Sequence, residues 1–421
     1  MDVKIYPGFA QGEVNCPYSK SIMHRALICA SLASGLSVIN NVTLSDDIIA
    51  TIDCLRVFGA DIKIAGNQII VRGIKEGKNK NEVLEVNESA STLRFLIPIS
   101  TLFFDKVIFK GKKSLFRRPL VVYEEVFRRQ KLKFVEKDDQ LTISGKLKSG
   151  DYLLNGNCSS QFFSGLLFYL PLLPESSTIT IRKPYYSQGY VALTIDILKK
   201  FGIEIIKKTK YELHIPGNQT YKPTTINNEI DYSHLAFWLG LATMNGNLVC
   251  NQVDGDSKQP DFKIIRILQN ANVRISRIGR SLLCEKSTYL LDNLGIDNQP
   301  DLGPILACIA SQSQGKVTLT GVKRLVSKES NRLNAVCNNL KNLNIEVTRF
   351  SLDKIMIHPG KVKALAPLDS YSDHRIFMAF AILATISENP VIIKNYECIQ
   401  KSYPNFLKDL AQLQIKFEYI N

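Results

Sequence analysis

The sequence predicts an α/β protein of two similar domains, each assembled from three small units of one kind. Two observations carry that expectation: a phrase that returns about every seventy residues, and a polar-capped helix opening in every unit. A third is length, because 421 residues exceed what one ordinary core accommodates.

The repeated phrase is a helix end, a turn residue, then a charged and alternating strand. It reads LRVFGADIKI (55–64), LKKFGIEII (198–206), LQNANVRI (268–275), LKNLNIEV (340–347) and LAQLQIKF (410–417), with RRQKLKF (128–134) as a looser copy. Anchored on Ile62, Leu132, Ile205, Ile275, Val347 and Phe417, the steps are 70, 73, 70, 72 and 70 residues. A period that steady over a whole chain marks internal repetition. Return strands such as NQIIVRG (67–73) and QLTISG (140–145) alternate with a period of two, as half-buried strands do. Three units per domain place a boundary near residue 225, in the polar stretch YKPTTINNEI (221–230).

The helix openings follow in order: SKSIMHRAL (19–27), ESASTLRFL (88–96), NCSSQFFSGLL (157–167), DYSHLAFWL (231–239), PDLGPILAC (300–308) and SDHRIFMAF (372–380). Ser, Asp and Asn at these positions are ordinary caps for unpaired N–H groups. SKSIMHR, SASTLR and SDHR also put Lys or Arg within the first turns. That is the positive end of the helix dipole, so each cation there implies an anion nearby. More cations lie in FRRPL (116–120), SKESNRL (327–333) and QKSYPNF (400–406), and the set points to a cleft between domains that holds several anionic groups.

Composition agrees. Lys plus Arg number 53 against 39 Asp plus Glu, a net charge of +14 that suits an anionic partner. Hydrophobic residues at 45% and charged residues at 22% give a globular balance. The nine cysteines form no CxxC pair and lack histidines at metal-ligand spacing, which reads as reduced thiols in a cytoplasmic protein. The opening residues MDVKIYPGFAQGEV hold no apolar signal core, and the longest apolar run, FFSGLLFYLPLL (162–173), is short of a membrane span. The cations sit in spaced motifs rather than one stripe, without interleaved aromatic platforms, which argues against nucleic-acid binding.

SKSIMHR, ESASTLR, RRPL, SSQF, the Ser187/Tyr190 pair, Pro300-Asp301, KESNR, DHR and KSYPNF occur in the order of the enolpyruvyl transferase family. The chain resembles its 5-enolpyruvylshikimate-3-phosphate synthases over essentially the full length. That resemblance implies two domains, each of three βαβαββ units (an inside-out α/β barrel), with the active site between them. Residues 15–228 would form the shikimate phosphate side, and 1–14 plus 229–421 the phosphoenolpyruvate and catalytic carboxylate side. The implied reaction moves the enolpyruvyl group of phosphoenolpyruvate to a hydroxyl of shikimate 3-phosphate, releasing phosphate. It uses no metal or other cofactor, no nucleic-acid or membrane partner, and a monomer.

The resemblance also implies roles. Ser159, Ser160 and Ser187 would hold the shikimate phosphate, Ser21 and Arg25 its carboxylate, and Tyr190 would flank the ring, with Lys328 also on the shikimate side. Arg118, Arg332, Arg375 and Lys401 would surround phosphoenolpyruvate, while Lys20 and Gln161 would touch both substrates. Asp301 would be the base at the shikimate hydroxyl, Glu329 the proton carrier at the enolpyruvyl carbon, and Lys20 would stand near the bridging oxygen. Glu329 among cations would be a poor acid, so desolvation on domain closure is expected to oppose them. His214, His234 and His358 read as structural. His374 would orient Arg375 or a phosphate, and Asp231 and Asp373 would be caps.

The chain departs from the family at four positions. Tyr18 replaces a glycine, Glu88 an asparagine, and Asn331 an acidic residue, which would deprive a neighbouring cation of its partner. Ala90 stands where most members have glycine facing phosphoenolpyruvate. The bland reading is helix propensity, worth about 0.8–1.0 kcal/mol over glycine. The sharper one is that its methyl group narrows the donor site and excludes glyphosate, a longer inhibitor of this family, more than phosphoenolpyruvate. The sister enzyme acting on UDP-N-acetylglucosamine has a Lys-Asn pair where this chain has Lys20-Ser21. It also carries a loop cysteine, and here no cysteine lies between Cys54 and Cys158. A catalytically dead binder is disfavoured by the intact Lys20, Asp301, Glu329 and Arg375.

Overall fold

The computed structural model describes residues 1–75 and 81–420. Their strands form six four-stranded sheets of one pattern: two parallel strands, then an antiparallel pair, which in five of the six is a hairpin whose second strand lies inside. In the clearest case Asn81–Asn87 runs parallel to Lys106–Gly111, which pairs antiparallel with Gln140–Ser144, and that strand with Lys133–Lys137. The chain divides into two compact units, Tyr18–Asn228 and Met1–Pro17 with Glu229–Asn421. Each unit contains three of the sheets.

The repeated phrase is the entry to the outer strand of each antiparallel pair. Its turn residue is left-handed in all six copies: Gly59 (φ 106°), Lys131 (56°), Gly202 (78°), Asn272 (64°), Asn344 (63°) and Gln414 (68°). Glycine and asparagine occupy that region readily, which fits four of the six; Lys131 and Gln414 adopt it without that advantage. Three sheets are completed by strands from elsewhere in the chain. Thr225–Asn227 adds beside Leu36–Asn40, Ala10–Asn15 beside Gly246–Asn251, and Asp2–Ile5 lies between Val391–Lys394 and Phe417–Ile420. The sixth unit therefore takes its return strand from the N-terminus.

The six helices expected at the openings form as Lys20–Leu32, Ala90–Phe103, Ser160–Tyr169, Tyr232–Asn245, Gly303–Ala310 and His374–Ala384. They are buried on nearly every side, as in Tyr232–Asn245, where only Asn245 escapes full burial. A helix apolar all round must sit inside, so the sheets and remaining helices cover these rather than the reverse. In the second unit Tyr232–Asn245, Gly303–Ala310 and His374–Ala384 pack on one another. Their polar starts are what remains to carry chemistry. No helix among the described residues is long and apolar enough to cross a membrane.

Candidate active site

In the Tyr18–Asn228 unit the polar residues collect at the starts of three helices. Ser19 caps the first through the Ile22 amide, and Lys20 behind it donates to Asp47 Oδ2 at 2.7 Å. Arg25, one turn on, is 3% exposed and donates from Nε to Thr194 Oγ1 (2.8 Å), from Nη1 to the Ser21 carbonyl (2.6 Å) and from Nη2 to the Tyr190 carbonyl (3.3 Å). Its guanidinium carbon lies 5.2 Å from the Phe95 ring centre. No carboxylate pairs with it among the described residues, and burial lowers its pKa to about 10. A buried cation without a counter-ion is costly, which marks Arg25 as awaiting an anion.

Ser89 caps the Ala90–Phe103 helix through the Thr92 amide. Behind it Thr92 Oγ1 donates to Ser89 Oγ (2.7 Å) and lies 2.6 Å from Thr51 Oγ1, which in turn lies 2.7 Å from His24 Nδ1. Burial drives the His24 pKa down to about 3, so it is neutral and structural. Ala90, the first residue of that helix, is 6% exposed. Ser159 caps the Ser160–Tyr169 helix through the Gln161 amide. Gln161 Nε2 donates to Ser91 Oγ (2.8 Å) and its Oε1 accepts from Arg94 Nη1 (2.9 Å). Ser160, Ser187 and Arg118 are buried, and Ser187 precedes its helix in a left-handed conformation (φ 53°).

In the other unit the site residues form a charge cluster in which Arg332, Asp373, His374, Arg375 and Lys401 are buried and Asp301, Lys328 and Glu329 are partly exposed. Asp301 lies in the 3₁₀ turn Pro300–Leu302 ahead of its helix. Its Oδ1 accepts from Arg332 Nη1 (3.0 Å) and Lys328 Nζ (3.1 Å), and its Oδ2 lies 3.4 Å from Arg375 Nη2. Arg332 also grips Asp373 with two bonds, Nε to Oδ2 at 2.7 Å and Nη2 to Oδ1 at 3.1 Å. Glu329 Oε2 lies 2.7 Å from His374 Nδ1, 3.7 Å from Lys401 Nζ and 3.8 Å from Arg332 Nη2. Burial pushes both Asp301 and Glu329 upward. It is outweighed at Asp301 by Arg375, Lys328 and Arg332, and at Glu329 by His374, Lys401 and Arg332, so both carboxyls stay well below their ordinary range. Lys328 is pushed down to about 8 by burial, against the pull of Asp301.

Two expectations change. Lys20 and Arg375, cations at the wrong end of a helix, already find anions within the protein, in Asp47 and Asp301. Among the described residues, only Arg25 and Arg94 of the helix-start arginines are without a carboxylate. His374 Nδ1 lies 2.7 Å from Glu329 Oε2. Asp373 is a cap, accepting from the Arg375 amide at 3.0 Å, and also the chief partner of Arg332. Asn331 caps the Arg332–Asn342 helix through Asn334, and the neighbouring cations take Asp301 and Asp373 instead of an acid at 331. Glu88 accepts from Ser114 Oγ (2.5 Å) and lies 3.7 Å from Lys112, and the Tyr18 amide donates to Thr43.

Reading the sequence missed Asp47 and Arg94. Arg94 was visible as the end of SASTLR; Asp47 reads as an acidic helix start until Lys20 is folded onto it. Glu329, Asp373 and His374 stand close enough to share a metal ion. However, both Asp373 oxygens are taken by Arg332, and two cations lie within 3.8 Å of Glu329, so the cluster suits ion pairing rather than a metal.

The family profile described as EPSP synthase (3-phosphoshikimate 1-carboxyvinyltransferase) matches residues 7–410. The 3-phosphoshikimate 1-carboxyvinyltransferase of Clostridium perfringens (strain SM101 / Type A) is 39% identical over 415 residues, covering 98% of each chain. That of Clostridioides difficile (strain 630) is 40% identical over 425 residues, covering 98% of this chain and 97% of its own. An EPSP synthase structure from Acinetobacter baumannii superposes over all of both chains with a TM-score of 0.79 at 22% identity. The enolpyruvyl transferase NikO from Streptomyces tendae shares the fold at a TM-score of 0.79 and 14% identity, over all of this chain and 98% of its own. With helix starts, charge cluster and full-length similarity in agreement, the chain belongs to the EPSP synthase (3-phosphoshikimate 1-carboxyvinyltransferase) family.

Proposed function

We propose that the protein transfers the enolpyruvyl group of phosphoenolpyruvate to the 5-hydroxyl of shikimate 3-phosphate, giving 5-enolpyruvylshikimate 3-phosphate and phosphate. The observation that carries this reading is the largely buried cluster, partly open at Lys328, Asp301 and Glu329, in which Lys328, Arg332, Arg375 and Lys401 face Asp301, Glu329 and Asp373. Four cations are gathered there, and both substrates carry a phosphate and a carboxylate for them to bind. On the shikimate side Ser159, Ser160 and Ser187 offer hydroxyl and amide donors for a phosphate, and Arg25, tethered to the Ser21 and Tyr190 carbonyls, offers a fork for a carboxylate.

The reaction adds the hydroxyl to the donor's C2 while its methylene carbon takes a proton. The tetrahedral adduct then loses a proton from the new methyl group and expels phosphate. Asp301 accepts the hydroxyl proton, and Glu329 exchanges protons with the methylene carbon. Both are strongly ionised at rest, so Glu329 cannot donate until its proton affinity rises. The donor's anions contribute to that rise: Glu329 is held down by His374, Lys401 and Arg332, and Asp301 by Arg375, Lys328 and Arg332, so neutralising Lys401, Arg332 and Arg375 weakens that hold on both carboxyls. Lys20 and the arginines stabilise the phosphate charge as it leaves.

Ala90 extends the reading to inhibition. Its methyl group is buried at the first residue of its helix, and crowding there costs roughly 1–3 kcal/mol, or about 5- to 100-fold in binding. Glyphosate, the longer occupant, bears more of that cost than phosphoenolpyruvate, and the enzyme tolerates it. The direct test is phosphate release from phosphoenolpyruvate, with and without shikimate 3-phosphate. Release that depends on shikimate 3-phosphate supports the reading; turnover only with UDP-N-acetylglucosamine assigns the sister reaction instead.

A further inference from the structure

We propose that Arg94 is a positioning residue that fixes Gln161 as a hydrogen-bond donor toward substrate and holds the Arg118 loop against it. This inference rests on the functional reading above. Arg94 is 6% exposed, and its guanidinium carbon lies 4.8 Å from the Phe162 ring centre. Nη1 donates to Gln161 Oε1 at 2.9 Å and Nη2 to the Pro119 carbonyl at 3.3 Å. Nε is buried without a hydrogen-bond partner, and no carboxylate pairs with the charge among the described residues. Burial and the nearby Arg118 lower its pKa to about 10, consistent with a cation kept at a cost.

The arrangement has a definite chemical consequence. A guanidinium only donates, so it must face the amide oxygen of Gln161. The NH₂ end is then turned to Ser91 Oγ at 2.8 Å, and its second N–H stays available for an anionic oxygen. Without Arg94 the amide would be free to turn and present its oxygen, which repels such a group. The Pro119 carbonyl adjoins Arg118, so the same guanidinium fixes the loop that carries a second cation.

The backbone supports this placement. Tyr123 Oη donates to the Arg94 carbonyl (2.8 Å) and lies 3.0 Å from the Phe162 carbonyl, tying the two helices together. Gly165 makes the contact possible, because a Cβ there would meet Tyr123 Oη at 2.2 Å and the Arg94 carbonyl at 2.4 Å.

The test uses the full chain with phosphoenolpyruvate and shikimate 3-phosphate, reading KM, kcat and the thermal midpoint together. Arg94→Ala is expected to lower kcat/KM for phosphoenolpyruvate by about 10- to 100-fold, the worth of one charge-assisted bond, with a smaller change in the KM for shikimate 3-phosphate. Added methylguanidinium should restore part of the loss. Gln161→Ala should lose a similar factor, and Arg94→Ala/Gln161→Ala should be within about 3-fold of the worse single variant, since one acts through the other. Gln161→Glu pairs a carboxylate with Arg94 and should hold the midpoint while activity falls, which separates orientation from folding. Losses that multiply in the double variant, or an active Gln161→Glu, would overturn the inference. Failure of the parent protein to turn over this substrate pair would overturn the functional reading instead.

Discussion

Replacing Asp373 with alanine probes the hub of the charge cluster. Asp373 is fully buried and each oxygen is used twice. Oδ2 accepts from Arg332 Nε (2.7 Å) and Ser330 Oγ (3.2 Å), and Oδ1 from Arg332 Nη2 (3.1 Å) and the Arg375 amide (3.0 Å). Removing one member of a buried, hydrogen-bonded ion pair costs about 3–5 kcal/mol. Losing a helix cap costs about 1 kcal/mol. Both losses fall on one carboxylate and overlap, and Arg332 keeps Asp301 at 3.0 Å, so about 4 kcal/mol is expected. For a unit of this size that is roughly 8–16 °C in thermal midpoint. The second arm is Arg332→Met/Asp373→Leu, which removes both charges. It should recover at least half of the lost midpoint while staying inactive, because Arg332 is needed for the donor but not for packing. A midpoint in Asp373→Ala within 2 °C of the parent, or a double variant no more stable than the single, would refute the reasoning.

Burial pushes Lys328 down to about 8, so kcat/KM for shikimate 3-phosphate should fall as pH rises through that region, and Lys328→Arg should move the fall to higher pH; an unmoved profile would acquit the lysine. Asp301, Glu329 and Asp373 have depressed folded pKa values, so the stability they contribute is present above the ordinary carboxylate range and lost as pH falls through those lower values. Thermal midpoints should therefore hold from pH 7 to 5 and drop below about 4, with a shallower drop in Asp373→Asn. Ala90→Gly should lower the glyphosate concentration for half inhibition by about 5- to 100-fold and change the KM for phosphoenolpyruvate less; equal inhibition of both proteins would leave the alanine to helix propensity. Arg25→Met should raise the KM for shikimate 3-phosphate by about tenfold or more while sparing that for phosphoenolpyruvate, as loss of a charged hydrogen bond implies.

The fold was legible because its signals are local. A left-handed turn before each outer strand recurs through Gly59, Lys131, Gly202, Asn272, Asn344 and Gln414, and periodicity survives even where lysine or glutamine stands in for glycine. The caps Ser19, Ser89, Ser159, Asp231 and Asp373 were readable for the same reason, since a cap involves only a few consecutive residues. The strands Asp2–Ile5 and Ala10–Asn15 were not, because which sheet a strand completes depends on partners hundreds of residues away.

The sequence by itself determined the six units, the helix starts and the family motifs, each written within short stretches of chain. Only the tertiary structure decided which charges answer one another. It gave Lys20 to Asp47, Arg332 to Asp373 and Asp301, and Glu329 to His374, and it left Arg25 and Arg94 buried without a carboxylate among the described residues. Electrostatic energy depends on distance and burial rather than on position along the chain, so a cation's partner, and the proton affinity of each carboxyl, exists only once the chain is folded.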